Sequence, residues 1–281
     1  MTDDSVRTVS ADSSFFDFKL GELLRYRDLI FMFVKRSYVT RYKQTLLGSA
    51  WLVITPVCSV IMNVMLFGMI AGLSTDGIPK PLFYFLNNIL WAFFSGCLFD
   101  SAGTFTGNAG LFGKVYFPRL VIPVASATTQ FLDFCIKFCL FLILMLGYYL
   151  FAGYRITFGV SVLLLPVTLF QFFLLGTGFG IIISAFTVKY RDLQVFVPFG
   201  MQVWMYLTPV VYTVSDVPER YRFMYSLNPL YPGFVMFRSA LFGTGAVSAM
   251  LWAASFVFSF AVFLSGILVF NRVERTFVDT V

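Results

Sequence analysis

Apolar residues run along the chain in six long stretches, roughly 46–73, 82–102, 121–151, 160–188, 195–212 and 246–270, separated by short polar or Gly/Pro-rich breaks. Each run reaches or approaches the ~20 residues that a helix needs to cross a hydrocarbon layer of ~30 Å. The expected fold is an all-α membrane protein with six transmembrane helices. Ahead of the first run the pattern changes. Leu23, Tyr26, Ile30, Phe33, Val34 and Tyr38 repeat at helical spacing, while Arg25, Asp28, Lys35, Arg36 and Lys43 take the other side. This predicts an N-terminal amphipathic helix over 19–45, lying in the membrane interface. Arg27 and Arg41 break the pattern, and an arginine does so cheaply there by burying its stem and lifting its guanidinium to the headgroups.

The breaks divide the chain further. Residues 1–18 are polar and acidic and predict a disordered cytoplasmic tail; 46–272 are expected to form one six-span transmembrane domain, and 273–281 a cytoplasmic C-terminal tail. The polar N-terminus has no apolar stretch suited to a cleaved signal peptide. STDGIPKP, at 74–81, reads as a tight turn, and GTFTGNAGLFGKVYFPR, at 103–119, as a short exposed element. The longest break, 213–245, has apolar pieces too short to cross and is punctuated by Pro218, Pro229, Pro232 and Gly233. Such a pattern suits re-entrant helices before the last span, shielded by protein because bare loop backbone is not tolerated in lipid.

Composition agrees with a membrane solvent: 59% of residues are hydrophobic and 12% charged, with a mean hydropathy of +0.84. The net charge of +6 does not point to nucleic acid, because the basic residues flank spans. Eight Lys and Arg precede residue 46, and two each lie in 103–119, 189–192 and after 270; these fourteen stand against five in the opposite breaks. The positive-inside rule therefore puts both termini in the cytoplasm. Histidine is absent, and Cys58, Cys97, Cys135 and Cys139 sit in apolar runs without zinc spacing. No metal site and no catalytic site is expected.

NAGLFGKV, at 108–115, has the Gly-Lys of a phosphate-binding loop but lacks its leading glycine, its closing Ser or Thr and its strand. The chain is expected to carry no nucleotide site, so energy for uphill movement must come from a partner or an ion gradient. Asp133 and Lys137, four apart inside the third run, face the same way and read as a helix-packing pair or as part of a polar path. Gly176, Gly178 and Gly180 offer small faces for helix packing. Among the many aromatics, Trp51, Trp91, Trp204, Tyr206 and Tyr212 combine flat faces with hydrogen-bonding tips, a combination suited to sugar rings in a channel.

Four dispersed segments, RDLIFMFVKRSYVTRYKQTLLGSAWLVITP, NAGLFGKVYFPR, VKYRDLQ and SLNPLYPGFVMFRSALF, resemble in order and spacing the membrane subunit of ATP-binding-cassette exporters for lipid-linked polysaccharides, the O-antigen and teichoic acid export family. The resemblance spans about residues 20–272. It implies a homodimer of this subunit in a bacterial inner membrane, with a pair of separate ATPase subunits that carry the ATP and Mg. It also makes the segment at 108–119 a cytoplasmic coupling helix, with Lys114, Tyr116, Phe117 and Arg119 as its ATPase contacts. The basic segment at 25–43 becomes a gate, where Arg36, Arg41 and Lys43 would meet the anionic lipid headgroup. The function so implied is export of a polyprenyl-diphosphate-linked polysaccharide such as O-antigen. Export of another lipid or small amphiphile is the alternative, and a polyprenyl-phosphate transferase a weaker one, since cytoplasmic breaks offer few carboxylates beyond Asp192 to hold a metal.

Overall fold

The computed structural model describes residues 26–43, 45–104, 107, 121–155, 157–187, 189–190, 192–245 and 247–278. Helix α1 spans Arg27–Tyr42. A 3-10 turn, Gly48–Ala50, leads into α2, Trp51–Asn63, which continues as a π-helix over Val64–Ile70. Then come α3 (Lys80–Ala102), α4 (Val121–Ala152) and, after a 3-10 turn at Val160–Leu164, α5 (Leu165–Thr187). The rest comprises α6 (Leu193–Tyr206), α7 (Glu219–Ser226), α8 (Tyr231–Phe242) and α9 (Ala249–Val278). No strand occurs among the described residues.

Among the described residues five stretches are long and apolar enough to cross a membrane: Gly48–Ile70, Lys80–Ala102, Val121–Ala152, Ser161–Thr187 and Ala249–Phe270. They coincide with five of the six expected runs. The run at 195–212 differs, because α6 has 14 residues, which at 1.5 Å per residue is about 21 Å. Pro209 has no amide hydrogen to continue the ladder, and the chain goes on as turns through Tyr212.

Helix α3 is the centre of the molecule, with α4 on one side and α5 on another. Close approach to α5 depends on missing side chains. A Cβ on Gly176 would lie 2.7 Å from the Phe94 carbonyl oxygen, and one on Gly180 2.5 Å from that of Leu98. Gly178 serves the other neighbour, since its Cβ would lie 2.8 Å from Phe263 Cα of α9. The small faces read from the sequence are thus helix interfaces. Around them Phe94, Phe141, Phe172, Phe234 and Phe237 form a buried aromatic core.

The breaks between helices gather at two ends. At one, Thr213 Oγ1 bonds Asp76 Oδ1 at 3.2 Å, Gly159 N donates to Ala240 O at 3.0 Å, and Thr157 Oγ1 donates to Phe242 O at 3.1 Å. Lys80 Nζ donates to Gly68 O at 2.6 Å near this end, using a carbonyl within the π-helical turn. The opposite end carries α1 and the C-terminus of α3 at Ala102. From Thr213 the chain turns inward through α7, reverses at Asn228 and Pro229, and returns through α8 to Gly243, whose φ of 68° suits glycine. The tip of this hairpin is pinned from three sides. Asn228 Nδ2 donates to Leu207 O at 3.1 Å, Gln171 Nε2 donates to Pro229 O at 3.3 Å, and Ser255 Oγ also bonds Pro229 O.

Candidate functional site

Chemistry-bearing side chains collect at three levels. At the α1 end, the helix expected to lie in lipid has its apolar stripe covered by protein: Tyr26, Leu29, Ile30 and Phe33 pack on Val121 and Ile122 of α4. Phe31, at 70% exposed, and Met32, at 57%, project on another side. The helix is apolar on two faces, one for α4 and one left for its surroundings. Arg36 is exposed and lines a cavity of about 480 Å³ between α1, α3 and α4, with Ser37, Thr40, Asp100 and Ser126. Lys43, also exposed, caps the C-terminus of α1, its N–H donating to Val39 O at 2.8 Å. The Arg41 side chain lies outside the described residues. Across the cavity floor Gln130 Nε2 donates to Asp100 Oδ2 at 2.7 Å, and Gly96 leaves the room that the Gln130 side chain fills.

One level deeper, Tyr38 Oη donates to Asp133 Oδ1 at 2.7 Å, joining α1 to a carboxylate that is only 4% exposed. A hydrogen bond to a charged acceptor in a dry setting is among the stronger ones, so this link holds α1 against α4. Asp133 and Lys137 line a cavity of about 350 Å³ with Trp51, Thr55, Ser59 and Asn88. The two residues singled out from spacing therefore share a polar recess with an aromatic from α2.

Nearer the loop end, Trp204 and Tyr212 line one cavity of about 770 Å³ together with Tyr221, Tyr225 and Asn228. Trp204 Nε1 donates to Asn228 Oδ1 at 3.2 Å, and its ring meets Phe94 and Phe179 edge to face at 5.2 and 5.5 Å. Tyr212 Oη lies 2.8 Å from both the Tyr206 carbonyl oxygen and Tyr225 Oη, with the Tyr212 and Tyr225 rings perpendicular at 5.9 Å. The indole and phenols are held in fixed directions, which favours recognition of a flat face at low ordering cost. The other expected channel aromatics lie elsewhere. Trp91 is in the core against Phe94, Tyr206 is exposed beside the cavity, and Trp51 is at the middle level. Tyr221 and Tyr225 were not singled out from sequence, although their spacing of four on a short helix between prolines is a visible signal. Lys114, Tyr116, Phe117 and Arg119 lie outside the described residues. Among the described residues no group of His, Cys, Asp or Glu could hold a metal ion.

A helical body with several membrane-crossing stretches, and with polar and aromatic cavities at successive depths, is built as a membrane transport protein. The family model of the ABC-2 type transporter matches residues 28–242, more than half of the chain, and the protein belongs to that family. The chain is 28% identical over 252 residues to the O-antigen export system permease protein RfbA of Myxococcus xanthus, covering 84% of this chain and 94% of that one. It is 24% identical over 263 residues to an O-antigen export system permease protein RfbA of Klebsiella pneumoniae, covering 93% and 97%. The polysialic acid transport protein KpsM of Escherichia coli is 24% identical over 197 residues, covering 69% and 74%. Family membership gives the chain a transport role rather than a catalytic one.

Proposed function

We propose that the protein is the permease subunit of an ATP-driven exporter that moves a lipid-linked cell-surface polysaccharide, of the O-antigen kind, outward across the bacterial inner membrane. The observation that carries this reading is similarity along nearly the whole length of permeases named for O-antigen export in two organisms. The chain works as a homodimer with two ATPase subunits, which bind the ATP and Mg. Exposed Gln202 on α6 supports a second copy or an aqueous path beside that helix, since a polar side chain gains little from facing lipid.

The chain crosses six times with both termini cytoplasmic, and α7 and α8 form a re-entrant hairpin at the outer face. The Thr213–Asp76 hydrogen bond supports the fifth crossing, because it returns the segment after α6 to the level of the loop between α2 and α3. Single cysteines at 74–81 and 213–217, labelled in intact cells, test the orientation, and protection of both would reverse it. Arg36, Arg41 and Lys43 attract the diphosphate headgroup at the inner face, each contributing about 1 kcal/mol. Lys114, Tyr116, Phe117 and Arg119 transmit ATPase closure. Trp204 and Tyr212, with Tyr221 and Tyr225, offer C–H-binding faces to passing sugar rings.

The test is deletion of the gene in its native host with complementation by the parent chain. Loss of surface polysaccharide, accumulation of lipid-linked polymer on the inner leaflet and recovery on complementation are expected. Unchanged surface polysaccharide would exclude the reading.

A further inference from the structure

At the loop end, on the far side of α7 from the aromatic cavity, Asp76, Ser215, Arg222, Tyr231, Arg238 and Thr244 line a second cavity of about 340 Å³, within the ~300–1,000 Å³ range of ligand sites. Arg238 projects into it from α8 and is only 6% exposed. Its guanidinium rests on the Phe83 ring at 5.4 Å, and Nη1 has no hydrogen-bond partner among the described residues. A buried guanidinium with an unsatisfied N–H is costly, and native proteins seldom keep one without a use.

The other charges facing the cavity do not discharge it. Asp76 takes a hydrogen bond from Thr213 Oγ1 at 3.2 Å and forms no ion pair with Arg238 within 4 Å. Arg222 Nη1 lies 3.5 Å from Glu219 Oε1, but that carboxylate is 89% exposed and screened by water. Asp216 Oδ2 lies 3.3 Å from the same Thr213 hydroxyl but is not part of the cavity lining, which carries two guanidiniums and one carboxylate. We propose that this cavity is an oxyanion site that takes a single carboxylate or phosphate group, with Arg238 as the principal donor and Arg222 and Tyr231 beside it. A guanidinium presents paired N–H donors that match two oxygens of such a group. An arginine stays cationic at neutral pH even when buried. The ligand is an acidic sugar residue or a phosphate exposed at this face. The inference stands on this cavity and not on which polymer is exported.

The experiment is calorimetric titration of the full-length protein, with its ATPase partner, in lipid nanodiscs at constant ionic strength. Inorganic phosphate, glucuronate and neutral glucose are the probes. Saturable binding of phosphate alone assigns the site to phosphate groups, of glucuronate alone to acidic sugars, and of both to oxyanions generally; each supports the site. Binding of neither, or of glucose equally well, overturns it. Arg238→Gln should weaken binding at least about tenfold. Ser215→Trp fills the mouth without touching the buried cation and should abolish binding even where Arg238→Gln does not fold, and Asp76→Asn should tighten it. Parent affinity in the Ser215→Trp protein, or in a folded Arg238→Gln protein, overturns the assignment.

Discussion

Two helices that start from the same kind of sequence end in opposite surroundings. Two thirds of the α3 span, 67%, is buried within the chain, whereas only 17% of the span containing α2 is. Both are apolar runs of 23 residues, and the more exposed one has the higher mean hydropathy, 2.1 against 1.5, so hydrophobicity does not decide which is buried within the chain. The difference lies in the neighbours: α3 meets the glycine face of α5 and the aromatics of α4, and it holds a buried amide, Asn87, whose Nδ2 donates to Val210 O at 2.9 Å. Helix α2 presents Val53, Val57 and Ile61 outward, its π-helical continuation presents Met65, and α6 buries only Met201. One side of the chain is a finished core. The outward faces of α2 and of α6 are left for lipid or for another copy.

This contrast is broken most forcefully by glycine substitutions. Gly180→Leu drives a side chain into the Leu98 carbonyl and Ser101 of α3, and should cost about 3 kcal/mol or prevent folding. Gly200→Leu on α6, where a Cβ meets nothing within 4 Å, should change stability by less than about 0.5 kcal/mol. Thermal unfolding in detergent compares the two, and equal losses would refute the assignment of α3 as the core. Asn87→Leu leaves the Val210 carbonyl without its donor and should cost about 2 kcal/mol, seen as faster amide exchange over 207–213. Tyr38→Phe removes the hydrogen bond to Asp133 and should release α1 from α4 at about 1.5 kcal/mol. A spin-label distance between α1 and α4 would report the release, and an unchanged distance distribution would show that apolar packing suffices. Smallest of all, Phe199→Ala at a 63% exposed position should leave unfolding of the single chain within about 0.5 kcal/mol. If it weakens self-association in lipid, the exposed side is a contact between copies.

Much of this was legible because a membrane imposes simple rules on composition and length. The expected runs at 82–102 and 121–151 became Lys80–Ala102 and Val121–Ala152. The run at 195–212 was less readable, since an apolar stretch records burial in a low-dielectric medium but not the point where Pro209 ends the helix. Periodicity gave α1 as a helix, yet could not tell a stripe that meets lipid from one that meets α4, because both reward the same residues. The links made by Asn87, Gln171 and Tyr38 join positions 58 to 123 apart and have no local signature. Arg238 did have one: a lone arginine in the apolar run GFVMFRSALF, which is an expensive choice unless the charge is used.

The central claim is that this chain, with its ATPase partner, exports a lipid-linked polysaccharide. Reconstitution of the complex in vesicles with a polyprenyl-diphosphate-linked glycan, and detection of the glycan on the opposite leaflet by an impermeant lectin, tests it most directly. ATP-dependent lectin binding that fails without hydrolysis, and that weakens when Arg36 and Lys43 are both changed to Gln, is the predicted result. Hydrolysis of ATP without any glycan reaching the far leaflet would contradict the account.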